Sequence, residues 1–406
     1  MEVISMNFLR LVMFIVLLSN IAGIAPVFCM NSKPAPMDEK PDSNKRKALH
    51  DDNFDHDDEP ATKGSRHDNP TAGTGAESGS GSGNKPGSDS DAGDVKETLD
   101  KQKLAQELRE IKQWFLEYIE IPEDHASLLN RSGNFKDWMC QCLRDRETYL
   151  WKQLFDVCAL SDYSVDKMIA DHQEEASKKI ATDEKELQDA KEMIKFDDGD
   201  DLQTLFIELA SLLLSERSID PKTIRFVITD KENDDKHLST MQTMKQALIL
   251  CLPGSKAIMD CMVKDAGVTM SSSAFYTSLF AGVVPHEISH LKNQDRLVDV
   301  CFDLLLKRDV EPHLTDVSDR EFALFNALTK KLYNEILRFH EVRSDIEGCL
   351  WHPKFLTYII DWRKLQHLSE QAEFFKMTSS IHPPEEMRVL SCEKIKRVFE
   401  IDKLLA

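Results

Sequence analysis

Past its first thirty residues this chain has no apolar run long enough to cross a bilayer, which takes about 20 predominantly apolar residues. It is also short of positive charge: 51 Lys and Arg stand against 71 Asp and Glu, a formal net charge of -20. Nucleic-acid backbones and anionic membrane surfaces require clustered Lys and Arg, so this balance argues against either as a partner and for a solvated, soluble surface. No internal repeat is present. Large apolar residues are almost missing from about Asn31 to Asp100, where "GAESGSGSGNKPGSDSDAGD" has the composition of a flexible linker that cannot build a core.

At the start, Arg10 precedes an apolar run from Leu11 to about Phe28, the charged and apolar regions of an export signal. Cleavage is expected after Cys29, with an uncleaved N-terminal anchor as the rival, and either way the protein is expected to be exported. Membrane contact is expected only through that segment if it stays uncleaved. Eight cysteines would then remain, scattered through apolar stretches in a way that fits buried thiols as well as disulfides.

The coarse partition is 1–29 signal, 30–96 disordered linker, 97–196 helical region and 197–406 a mostly helical domain with a small sheet, an α+β class overall. Leu104, Leu108, Ile111, Phe115 and Tyr118 recur at helical steps until Pro122. The charged stretch 165–196 predicts a helix with few buried residues, along a surface or in a helical hairpin. "LQTLFIELASLLLSER" predicts a helix, and "IRFVITD" and "ALILCLPG" predict strands bounded by Asp, Pro and Gly. Helices are expected again through "VDVCFDLLLKR" and "REFALFNALTKKLYNEILRFHEVRSDIEGCL".

Chemistry enters at "HEISH". Residues four apart share a helix face, so His286 and His290 could ligate one metal, with Glu287 projecting beside the open coordination position. A catalytic zinc needs a third protein ligand and a site left for water. "HEVRSD" offers the best candidate, because Glu341 and Asp345 are again four apart: one carboxylate could bind the metal while Asp345 accepts the ring N–H of a ligand histidine. His340 is another possible ligand, ranked below that pair. Further on, His382 is followed by Pro383 and Pro384 and then Arg388, a rigid turn that can hold both side chains toward a site.

In this order, H-E-I-S-H-L-K-N-Q-D, E-V-R-S-D and S-I-H-P-P-E-E-M-R-V, the motifs resemble the signatures of the HtpX and CaaX prenyl-protease family of zinc metallopeptidases. The resemblance covers roughly residues 200 to 400. It implies a zincin-like fold, zinc held by His286, His290 and Glu341, Glu287 as general base and Asp345 orienting a ligand. His382 and Arg388 match the family's positions for transition-state stabilisation and support of the site. A protein or peptide would be the substrate.

Two departures stand out. Pro285 directly precedes His286, so either the active helix begins there, with Pro285 in its first turn, or the helix bends. The second option opens an alternative function, a zinc-binding but inactive relative acting as an adaptor. Between His290 and Glu341, where membrane-embedded members have spanning helices, this chain carries Asp295, Arg296, Asp299, Asp303, Lys307, Arg308, Asp309 and Glu311. Such a segment cannot cross a bilayer, so the catalytic domain is expected to be soluble.

Overall fold

The computed structural model describes residues 90–122, 125–131, 133–187, 189–190, 194–196, 201–230, 241–265, 270–315, 317–370 and 382–405. The expected signal or anchor at 1–29 and most of the expected linker lie outside the described residues. The elements are α1 (Ser90–Tyr118), α2 (His125–Leu129), α3 (Phe135–Val157), α4 (Val165–Glu186), α5 (Leu202–Glu216), β1 (Arg225–Thr229), β2 (Met241–Thr243), β3 (Ala247–Cys251), α6 (Leu252–Asp265), α7 (Ser272–Asn293), α8 (Asp295–Leu305), α9 (Asp319–Trp351), α10 (Leu356–Glu370) and α11 (Glu385–Leu405). The protein is mainly α-helical with one small sheet. Among the described residues no helix is long and apolar enough to cross a membrane.

The first helix starts at Ser90, not at residue 97 as the linker boundary required. Once a helix is nucleated, each further residue adds a hydrogen bond at little entropic cost, and no proline interrupts the chain between Pro86 and Pro122. Both predicted strands form, β1 running parallel to β3, but β2 was not anticipated and pairs antiparallel on the other side of β3, giving the order β1-β3-β2. With only three residues, β2 is below the length at which alternation can be read. After β3, Pro253 falls in the first turn of α6, where a missing N–H is harmless.

Two apolar clusters organise the molecule. One joins α1, α3 and α4 to α8, α9 and α11 around Phe115, Met139, Trp151, Phe302, Ile346 and Ile395. The other joins α5, the sheet and α7 around Phe206, Leu248, Phe280, Val284 and Ile288, closed by Trp362 of α10. Full burial of each such side chain is worth about 1.5–3 kcal/mol before chain entropy is counted. Charged α4 contributes more than its composition suggests: Met168, His172, Ala176 and Ile180 form a buried stripe at four-residue steps, packed on α8.

α7 belongs to the second cluster and α9 to the first, and these two helices pack directly on each other. The motif residues of both therefore meet at the seam between the clusters. Their approach is close because Gly348 of α9 has no side chain: a Cβ there would lie 3.2 Å from the carbonyl carbon of Pro285 and 3.3 Å from the amide nitrogen of His286.

Candidate metal centre

The helix bearing H-E-I-S-H does not begin at Pro285. It begins at Ser272, capped by Ser271, whose hydroxyl accepts the N–H of Ala274 at 3.2 Å, and it continues on both sides of the proline to Asn293. A proline inside a helix costs about 3 kcal/mol, yet Phe275, Tyr276, Leu279, Phe280, Val283 and Val284 are all buried along this helix before the proline is reached. Their packing outweighs the lost hydrogen bond.

One turn apart, His286 and His290 bring their Nε2 atoms to 3.0 Å of each other. Glu341, from the middle of α9, closes the triangle, with Oε2 at 3.1 Å from His286 Nε2 and Oε1 at 3.5 Å from His290 Nε2. Ligand atoms on a tetrahedral zinc with bonds of about 2.0–2.1 Å are roughly 3.3 Å apart. The three side chains form a group able to hold a metal ion.

What lies behind the histidines makes the fit chemical as well as geometric. Each ring's other nitrogen is hydrogen-bonded to a carboxylate: His286 Nδ1 to Asp345 Oδ1 at 2.8 Å, and His290 Nδ1 to Asp295 Oδ2 at 2.7 Å. With Nδ1–H donated backwards, a neutral imidazole has only a lone pair at Nε2. Two lone pairs and a carboxylate oxygen then face one another, and they repel unless a cation or protons intervene. Glu341 Oε2 is buried without a hydrogen bond of acceptable geometry despite these neighbours.

The proton affinities follow from the same arrangement. Burial works against a charged His290, but Glu341 and Asp295 outweigh it and raise its pKa to about 9. His286 moves in the same direction, burial again opposing, with Asp345 and Glu341 responsible. Burial disfavours a charged Glu341, but His290 and His382 hold its carboxyl well below the usual range. The pocket is built to attract positive charge.

Asp345 is itself clamped. Arg388 of α11 reaches it with Nε at 2.7 Å from Oδ2 and Nη2 at 2.8 Å from Oδ1, and Arg363 of α10 adds Nη2 at 2.7 Å from Oδ1. Glu385 accepts from Arg388 Nη1 at 2.7 Å. Although burial opposes its charge, the two arginines hold the Asp345 carboxyl well below the ordinary carboxylate range.

Asp345, Glu287, His382 and Arg388 also lie at or beside this centre, with different exposures. His382 is exposed and places Nδ1 at 3.0 Å from Glu341 Oε2. Arg388 is buried, and its hydrogen bonds go to Asp345 and Glu385. Glu287 is buried beside His290, close enough to add to the rise in that histidine's pKa. The lower-ranked ligand candidate His340 is not in the group; its Nε2 lies 3.4 Å from Glu147 Oε1 on α3.

Sequence reasoning missed Asp295, Arg343, Arg363 and Glu385. Asp295 reaches His290 because Gln294 adopts a left-handed conformation (φ 57°) that ends α7 and starts α8 at once, turning the first residue of α8 back under the metal group. An aspartate in that first turn also lies at the positive end of the helix. Arg343 hydrogen-bonds Asp295 and donates to Glu147 at 2.5 Å, linking α3 to the centre. For Asp295 a signal existed, an acidic residue five positions past a candidate ligand histidine; for Arg363 none did. Compared with protein-family models, with curated proteins and with solved structures, the chain gives no match to any.

Proposed function

We propose that this protein is a zinc-dependent endopeptidase of the HtpX-like kind, with a zincin-like catalytic unit exposed to water. The observation that carries the reading is the convergence of His286 Nε2, His290 Nε2 and a Glu341 oxygen, both rings fixed from behind by carboxylates and Glu287 adjoining the first ligand. Three protein ligands leave a tetrahedral ion one position for water, the arrangement of catalytic rather than structural zinc. Bound there, zinc would lower the pKa of water to about 7 and polarise a peptide carbonyl.

The chain's own groups supply the rest. Glu287 takes the proton of the attacking water and passes it to the leaving amine. Asp345 and Asp295 fix the tautomers of His286 and His290, and Arg388 and Arg363 fix Asp345. Exposed His382, beside Glu341, donates a hydrogen bond to the oxyanion in this reading. Arg388, enclosed by Asp345 and Glu385, acts as a positioning residue. The reading carries with it an exported protein, with a peptide or protein substrate and no nucleic-acid partner.

The test is hydrolysis of an unstructured polypeptide such as casein by the zinc-loaded full chain and by Glu287→Gln. Cleavage that falls by at least about 100-fold in Glu287→Gln, with zinc retained, is expected. Zinc bound by a wild type that cleaves nothing would overturn the enzyme reading in favour of a metal-binding adaptor.

A further inference from the structure

Seven described cysteines are unbridged, and two of them stand apart: Cys349 of α9 and Cys392 of α11 bring their sulfurs to 3.0 Å across the interface of those helices. Both are fully or almost fully buried, at 0% and 1% exposure. Their register is specific. Cys349 lies one turn past Asp345, and Cys392 one turn past Arg388, so the thiol pair forms the next rung below the buried Asp345–Arg388 ion pair. Proteolysis as proposed above uses neither sulfur.

We infer that Cys349 and Cys392 are a disulfide-forming pair that staples α11 to the metal-bearing helix α9. The sulfurs need to close by only about 1 Å to reach the bond length of about 2.05 Å. The bond would lock a loop of 43 residue steps and hold Arg388, just inside one end of that loop, against Asp345, one turn outside the other. Orientation of His286 would then depend on a covalent link as well as an ionic one.

Closure proceeds by thiol–disulfide exchange with a small-molecule disulfide such as oxidised glutathione. One cysteine loses its proton to solvent and attacks a sulfur of the oxidant, expelling one thiolate and forming a mixed disulfide. The second cysteine, also deprotonated, attacks the protein sulfur of that mixed disulfide and expels the second thiolate. Two protein thiols are oxidised to one disulfide, and the oxidant is reduced to two thiols. In the packed protein, burial and the neighbouring Cys392 and Asp345 push the Cys349 thiol well up. The reaction therefore belongs to folding, or to moments when α11 lifts from α9.

The test uses folded full-chain protein held in excess oxidised glutathione at a mildly denaturing urea concentration, where local opening admits the reagent. The protein is then alkylated under full denaturation and digested without reductant. One peptide pair joined through Cys349 and Cys392 is expected, about 2 Da lighter than the sum of its thiol forms and separated by reductant. The melting midpoint of the oxidised wild type should fall by at least about 5 °C on reduction, and that of Cys349→Ala/Cys392→Ala should not respond. Alkyl label on both cysteines of the oxidised wild type, or bridges from either one to other cysteines, would overturn the inference. No readout involves metal or proteolysis, so either result leaves the peptidase reading to its own test.

Discussion

His286 Nδ1 and Asp345 Oδ1 are 2.8 Å apart, joining two helices whose motifs are separated by 59 positions. Asp345 also neutralises Arg363 and Arg388, so Asp345→Asn takes the negative charge out of three interactions at once. Stability should fall by about 3–5 kcal/mol, since two buried guanidinium groups are left with the single carboxylate of Glu385 between them. Guanidinium denaturation in the presence of a chelator, which isolates the protein term from the metal term, checks this.

Asp295→Asn tests positioning at a smaller cost to folding, because Arg343 keeps Glu147 when the Asp295 charge is removed. Asparagine keeps the shape and one acceptor but forfeits the charge behind His290, and a lost partner of this kind costs about 10–100-fold in metal affinity. Competition against a chromophoric zinc chelator would measure it. Unchanged affinity would mean that the 2.7 Å contact does not orient the ligand ring.

The metal-free protein should have a stability maximum in mildly acidic solution. His290, near 6.5 when unfolded, is raised to about 9 in the fold, and His286 is raised as well, so their contribution is fully present below about pH 6.5 and is lost as pH rises through 9. Asp345 and Glu341 are lowered, so theirs is present above about pH 5 and lost as pH falls through the folded values. Between pH 6 and pH 9 the chelated protein should lose up to about 3 kcal/mol for His290 alone. Denaturation midpoints across that range test it, and zinc should flatten the alkaline limb, because it binds deprotonated histidines.

Gly282 and Gly348 mark close helix approaches and should respond differently to alanine. At Gly282 the new Cβ would fall 2.3 Å from Cγ of buried Trp362, so one of the two helices must move, at a cost of about 1–3 kcal/mol or more. At Gly348 the clash is milder but falls on the Pro285 and His286 backbone. Gly348→Ala should therefore reduce zinc affinity more than it lowers the melting midpoint.

Much of the centre was legible because two of its candidate ligands lie on one helix at four-residue spacing, and Glu341 and Asp345 repeat that spacing on another. Helical periodicity converts such spacings directly into shared faces. Of the two readings of Pro285 only a helix start there is excluded, because sequence shows a helix breaker without showing the packing that carries the helix through it. Asp295 was counted only as a charge that bars membrane insertion, since its role depends on one left-handed residue, Gln294. Arg363 and Glu147 reach the centre through tertiary packing from α10 and α3, which no local pattern encodes. The same packing is why α1, α3 and α4 share a core with α9 and α11 although no chemistry could be read in them.

Metal content decides the central claim most directly. Full-chain protein purified in the presence of zinc, and its Glu341→Ala and His382→Ala forms, would be assayed by inductively coupled plasma mass spectrometry beside circular dichroism as a check on folding. The geometry predicts about one zinc per wild-type chain, lost in folded Glu341→Ala and kept in His382→Ala. No zinc in the folded wild type, or zinc retained in full by Glu341→Ala, would contradict the site.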